Sequence, residues 1–198
     1  GADSCAMMHL AAGWRAARLL SGSQVTPPVL SVVTVDHGLR PESAHEAAAV
    51  RAVAERLGLA HTTLIWTGSK PASGIQAAAR AARYRLIADH LEAHRIVAVA
   101  TAHTSDDQAE TLMMRLARGS GADGLAGMQE KKQLGPITVL RPMLRYSKAD
   151  LVATLTARGE TWIEDPSNDM PAFERVRLRH QRESFEAAGL SNQAVALS

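Results

Sequence analysis

The sequence predicts an α/β fold, an open parallel sheet with helices on both faces, and three observations carry that prediction. Short β-branched apolar runs alternate with segments of helical periodicity, the order that builds parallel βαβ units. The runs Val29–Val35 and Ile96–Ala100 are apolar almost throughout, as strands covered on both faces are. Polar residues and glycines cluster directly after the strands, where ligands bind in open α/β sheets. At 198 residues the chain fits one ordinary domain or slightly more, large enough to bury a core without disulfide or metal staples.

The elements follow in order. Ala6–Leu20 places Met7, Leu10, Ala11 and Trp14 on one helical face, and Val29–Val35 is the first strand. Ser43-Ala44-His45-Glu46 reads as a capping box opening a helix that turns Ala47, Val50, Val53, Ala54 and Leu57 inward and stops at Gly58. His61–Trp66 is the second strand, Ile75 to about His94 a long alanine-rich helix, and Ile96–Ala100 a third, buried strand. A helix from about Asp106 to Leu116 precedes the glycine-rich stretch Gly119–Gly127, which reads as a mobile loop over the crevice. Ile137–Leu140 is a further strand and Ser147–Arg158 a helix ended by Gly159. A turn at Asp165–Asp169 leads to a last helix, roughly Phe173–Ala188, bearing Arg175, Arg177, Arg179 and Arg182. The organisation is therefore 1–165 as an α/β domain and 166–198 as an arginine-rich helical extension.

Composition excludes several functions. No apolar run approaches the roughly 20 residues a membrane span needs. Lys and Arg total 22 against 20 acids, so a net charge of +2 argues for no nucleic-acid partner by itself. The single Cys5 excludes Cys-cluster metal sites and paired-thiol chemistry, and a reducing cytoplasm is the expected compartment. No leader precedes the first helix, so export is not expected.

Four segments can carry chemistry. Gly1-Ala2-Asp3-Ser4 precedes a helix, where backbone amides and the positive helix end suit phosphate, although Asp and Ser also simply cap helices. Asp36 and His37 stand in Val35–Pro41 at the end of the first strand; a turn explains Gly38 and Pro41 but not these two. The run His103–Thr111 follows the third strand, with Asp107 and Glu110 on one face of a helix start and His103 just ahead of them. Such carboxylates could hold magnesium, receive an ammonium substrate or take a proton from an attacking amine. Arg80 and Arg83 lie in an alanine-rich helix and could clamp a phosphate or line a solvated face.

Together these segments resemble the PP-loop ATP pyrophosphatase superfamily and, within it, the tRNA(Ile)-lysidine synthetases. The resemblance rests on Gly1-Ala2-Asp3-Ser4, which matches the end of a Ser-Gly-Gly-x-Asp-Ser phosphate loop. It also rests on Val35–Pro41, Gln76–Tyr84, Ala100–Met128, Arg141-Pro142 and Asp165-Pro166-Ser167-Asn168 with Arg175 and Arg179, in the same order. It implies a Rossmann-like fold whose first strand would lie before residue 1. It implies that ATP adenylates C2 of the first anticodon cytidine of an isoleucine tRNA with a CAU anticodon, and that free L-lysine then displaces AMP to form lysidine. By position, Gly1, Ala2, Asp3 and Ser4 would hold ATP phosphates, and Asp36 and Arg80 would lie near the nucleotide. Asp107 and Glu110, with His103, would serve magnesium or the lysine ammonium, and Arg175 would close over phosphate or RNA. The remaining tRNA affinity would come from residues beyond 198 or from a second copy in a homodimer. The alternatives are a PP-loop tRNA thiolation enzyme, which one cysteine disfavours, an amide-forming synthetase, and a non-catalytic RNA-binding module built on the Arg175–Arg182 patch.

Overall fold

A computed structural model describes residues 1–22, 24–121, 126–164 and 177–178. The elements are helix α1 (Ala2–Leu20), strand β1 (Ser31–Asp36), helix α2 (Ser43–Arg56), β2 (Ala60–Ile65), α3 (Ile75–Ala93), β3 (Ala98–Ala100), α4 (Ser105–Ala117), β4 (Lys131–Leu134), β5 (Ile137–Leu140) and α5 (Lys148–Ala157). The α/β class with parallel strands and helices is thus observed. Among the described residues, however, the strands form two sheets, β1-β2 and β3-β5-β4, in place of one. The chain divides accordingly into two compact units, one made of Gly1–Met7 with the described residues from Ala98 onward, the other of Met8–Val97.

In the Met8–Val97 unit, β1 and β2 pair in parallel from Ser31 opposite Ala60 to Asp36 opposite Ile65. Helices α2 and α3 both pack on this pair. Met8, Ala54 and Leu59 form one apolar cluster with Ala12, Val32 and Val53, and Trp66, Ala79 and Ala82 form another with Ile75 and Leu86. Gly58 and Gly74 adopt positive φ at the end of α2 and the start of α3, a conformation that glycine adopts without strain.

In the other unit, β5 lies between β3, which it joins in parallel, and β4, which it joins antiparallel through the Gly135-Pro136 turn. The core is Ala2 and Ala6 of α1 against Leu151 and Leu155 of α5, with Cys5, Met143, Val152 and Trp162 around it. Alanines one turn apart on α1 leave room for the two leucines to approach closely.

Several expectations need correction. α1 begins at Ala2, with Gly1 accepting from the Cys5 amide, so Ala2, Asp3 and Ser4 form its first turn and are not a loop ahead of it. Its inward residues are Ala2, Ala6, Met8 and His9, whereas Trp14 is 49% exposed, because packing follows the small residues and not the largest ones. The Ser43–Glu46 capping box does not form. Ser43 Oγ donates to the Arg40 carbonyl, and Glu46 is drawn into a bidentate pair with Arg40 at 2.9 and 3.0 Å. The third strand is short and only half covered, with Val97 70% exposed. β4 was unforeseen because its four exposed residues, Lys-Lys-Gln-Leu, show no apolar alternation, and lysines are what an edge strand tolerates. The helix expected over Phe173–Ala188, with Arg175, Arg179 and Arg182, lies outside the described residues except for Arg177 and Leu178, as do 122–125 of the glycine-rich stretch.

Candidate functional site

The first group of candidate residues gathers where α1, α4 and α5 begin. Thr104 is the N-cap of α4 and is fully buried. Its backbone N–H and hydroxyl donate to Asp107 Oδ2 at 2.8 and 3.0 Å, and the Asp107 amide returns a bond to Thr104 Oγ1 at 3.4 Å. Asp107 is therefore the acidic partner of a capping box. Asp106 Oδ2 accepts from the backbone N–H of Lys148 at 2.7 Å and so caps α5, whose own box joins Ser147 to Asp150. The Ser105 N–H donates to the Tyr146 carbonyl at 2.9 Å, tying the two helix starts together. The Thr101 hydroxyl lies 2.8 Å from His103 Nδ1, and Glu110 is 7% exposed one turn beyond Asp107.

Asp3 differs from its neighbours. Its Oδ1 is buried and has no hydrogen-bond partner among the described residues. Burial pushes its carboxyl above the ordinary range, the nearby Asp107 and Asp106 charges push it further, and Lys148 pulls it back. An acid held in this state is poised to receive a cation or a donor.

The second group stands in the Met8–Val97 unit, at the carboxyl ends of β1 and β2. Asp36 closes β1, and its Oδ1 accepts from the Gly38 amide at 2.8 Å. The neighbouring Ser43 side chain and that amide, with the His37 and Lys70 charges, hold its carboxyl below the usual range. The Trp66 amide donates to the Asp36 carbonyl at 2.8 Å and extends the parallel ladder by one step. His37 meets the Trp66 ring edge-on at 6.0 Å and lies 3.3 Å from the Arg83 guanidinium. Arg80 is exposed, its guanidinium 5.0 Å from the Tyr84 ring centroid.

Residues 1–182 match the model of the PP-loop domain. The chain belongs to the PP-loop domain family. It is 50% identical over 196 residues to a tRNA(Ile)-lysidine synthase of Bradyrhizobium sp. strain BTAi1, covering 99% of this chain and 53% of that protein. It is 51% identical over 195 residues to the enzyme of the same name from Rhodopseudomonas palustris, covering 98% and 55%. The chain thus spans about half the length of these curated relatives. Its fold is similar to that of a U34-tRNA thiolase, NcsA, from Methanococcus maripaludis with its [4Fe-4S] cluster, at a TM-score of 0.78 and 14% identity over 99% of this chain and 67% of that one.

Within this PP-loop chain, sequence reading named Asp3, Asp36, Arg80, His103, Asp107 and Glu110. The structure brings Asp3, Asp107 and Asp106 into one electrostatic group. Three contributors were missed. Lys148 acts on Asp3 but stands far away in sequence, at a helix start that looked ordinary. Gln108 clamps the far end of the glycine-rich stretch, accepting from the Met128 amide at 2.6 Å and donating to its carbonyl at 3.2 Å, while Arg115 donates to the Ala126 carbonyl. Lys70 covers the Trp66 ring. The signal for Gln108 was Gly127, where any Cβ would run into the Gln108 amide.

Proposed function

We propose that this chain is the ATP-binding, catalytic part of a tRNA(Ile)-lysidine synthase. The observation that carries the reading is half-identity along nearly the whole chain to relatives of that name. The cytidine C2 oxygen of the CAU anticodon attacks the α-phosphate of ATP and pyrophosphate leaves. The amine of free L-lysine then adds at C2, loses its proton, and AMP departs with the former carbonyl oxygen. Adenylation is needed because an oxo group is a poor leaving group and AMP is a good one.

Gly1, Ala2, Asp3 and Ser4 present the first-turn amides and hydroxyl of α1 to the phosphates. Magnesium fits beside them: it takes carboxylate oxygens together with substrate phosphates, and Asp3 Oδ1 is a buried oxygen lacking a donor. Asp3 and Asp107 would hold it, and it would neutralise triphosphate charge. Glu110 and His103 receive the lysine ammonium and its proton. Asp36 and Arg80 serve the nucleotide and its reacting phosphate, and Arg175 closes over phosphate or RNA. Residues 1–165 form the catalytic domain and 166–198 lead toward tRNA-binding surface, supplied beyond 198 or by a second copy. Among the described residues no helix is long and apolar enough to cross a membrane, and a cytoplasmic site of action follows from the chemistry.

The thiolation reading is weaker, since these 198 residues hold one cysteine, whose Sγ lies 3.9 Å from the Thr161 carbonyl. The complete protein, incubated with ATP, lysine and an unmodified isoleucine tRNA, tests the proposal through lysine incorporated per AMP formed.

A further inference from the structure

The carboxyl ends of β1 and β2 carry a concentration of positive charge that sequence spacing does not reveal, because its members come from three segments. The Arg83 guanidinium lies 3.3 Å from His37 Nε2. The Lys70 ammonium sits 4.0 Å above the centroid of the buried Trp66 ring and donates to the Trp66 carbonyl. The same indole meets His37 edge-on. Lys70 and His37 thus meet one aromatic ring, and Arg83 joins the group through His37. Neither Lys70 nor Arg83 has a carboxylate within ion-pair distance among the described residues. Asp36 lies within electrostatic reach of Lys70 and His37, and its Oδ1 accepts from the Gly38 amide.

Asp36 offsets part of the positive charge at Lys70, and an arriving anion is favoured by what remains at Lys70 and Arg83. Arg83 presents a planar fork suited to phosphate oxygens, and Lys70 a point charge. On the same helix, Arg80 and Tyr84 stack with the Tyr84 ring 51% exposed. An exposed ring beside a guanidinium is the surface on which an unstacked base of single-stranded RNA lies. Separate long side chains, half-buried Lys70 before α3 and exposed Arg83 on α3, suit spaced phosphates of a polynucleotide better than a single triphosphate, which wants a compact cradle of backbone amides.

We propose that Lys70 and Arg83 bind backbone phosphates of the RNA substrate. This rests on the reading of tRNA as substrate. The test uses the complete protein and unmodified isoleucine tRNA, with binding measured across a salt series. Each lost phosphate contact lowers the salt slope by about 0.7–0.9. Lys70→Gln with Arg83→Gln should therefore flatten the slope by about 1.4–1.8 and leave the KM for ATP unchanged. Lys70→Arg with Arg83→Lys should keep the wild-type slope. Thermal melting monitors folding, and if the double variant unfolds, each single Gln variant should lose about half of that change. An unchanged slope in folded Gln variants overturns the proposal. So does a raised KM for ATP with the slope intact, which would assign the cluster to the nucleotide. Failure of the functional reading is separable: wild-type protein would form no lysidine, whereas failure here leaves lysidine formation and an unaltered slope together.

Discussion

The two groups of candidate residues differ in sign and in how their charges are held. Around the starts of α1, α4 and α5 most charged groups are acids, with Lys148 beside them, and the backbone employs most of the acids: Asp107 caps α4, Asp106 caps α5, Asp150 caps α5 from within, and among the described residues Asp3 Oδ1 is the buried carboxylate oxygen without a partner. At the ends of β1 and β2 the charges beside Asp36 are bases, set on an indole and an imidazole with few hydrogen bonds to fix them. The contrast separates charge that builds the fold from charge that awaits a ligand. Capping acids are stabilising in the folded protein, whereas burial makes the charged form of Asp3 costly until a cation or donor reaches it.

The largest expected effect sharpens the ligand side of this contrast. Arg80→Ala should slow adenylation by about 2.7–4 kcal/mol, the scale for removing one preorganised group at developing charge, with less change in lysine affinity. Pyrophosphate release at the wild-type rate would place Arg80 on a solvated face. Next in size is Gly127→Ala. The new methyl must expel the Gln108 amide from its two bonds to Met128, so a loss of about 1–3 kcal/mol is expected in denaturant unfolding. Gln108→Ala combined with Gly127→Ala should cost less than the sum of the two, and strict additivity would break the clamp assignment.

Smaller effects test the two kinds of acid against each other. Asp107→Ala should lose about 0.5–2 kcal/mol of stability, the range of capping losses, in addition to slowing pyrophosphate release if it shares the magnesium with Asp3. Asp3→Asn should behave in the opposite sense. A raised carboxyl pKa favours the protonated folded state, so Asp3 contributes stability at acid pH that disappears as pH rises through its folded value. Replacing it by the neutral amide should raise the melting temperature at neutral pH while abolishing pyrophosphate release. A lower melting temperature would mean that Asp3 is another structural acid. Asp36 titrates the other way: its lowered pKa contributes stability above its unfolded value that is lost as pH falls through the folded one. Asp36→Asn should therefore flatten the acid limb of a stability profile.

The alternation of strands and helices was legible because buried β-branched runs and helical periodicity are strong local signals, and β1, β2, α3 and α5 fall within a residue or two of where they were read. What was not legible depends on partners remote in sequence. The side chains of Ser43 and Glu46 had the composition of a capping box, but Arg40 offered both a better bond. Asp107 was named for chemistry, yet its first role is capping, which the Thr104-x-x-Asp107 spacing already contained. Trp14 looked like a core residue until the alanines of α1 met α5. The cationic cluster is assembled from residues 37, 70 and 83, a combination no local pattern encodes.

The central claim is tested most directly by stoichiometry. The complete protein with ATP, labelled lysine and unmodified isoleucine tRNA bearing a CAU anticodon should form one AMP and one pyrophosphate per lysine incorporated, and neither product should accumulate when a tRNA without cytidine at the first anticodon position is supplied. AMP formed without lysine entering the tRNA, or lysine incorporated without AMP, would contradict the account.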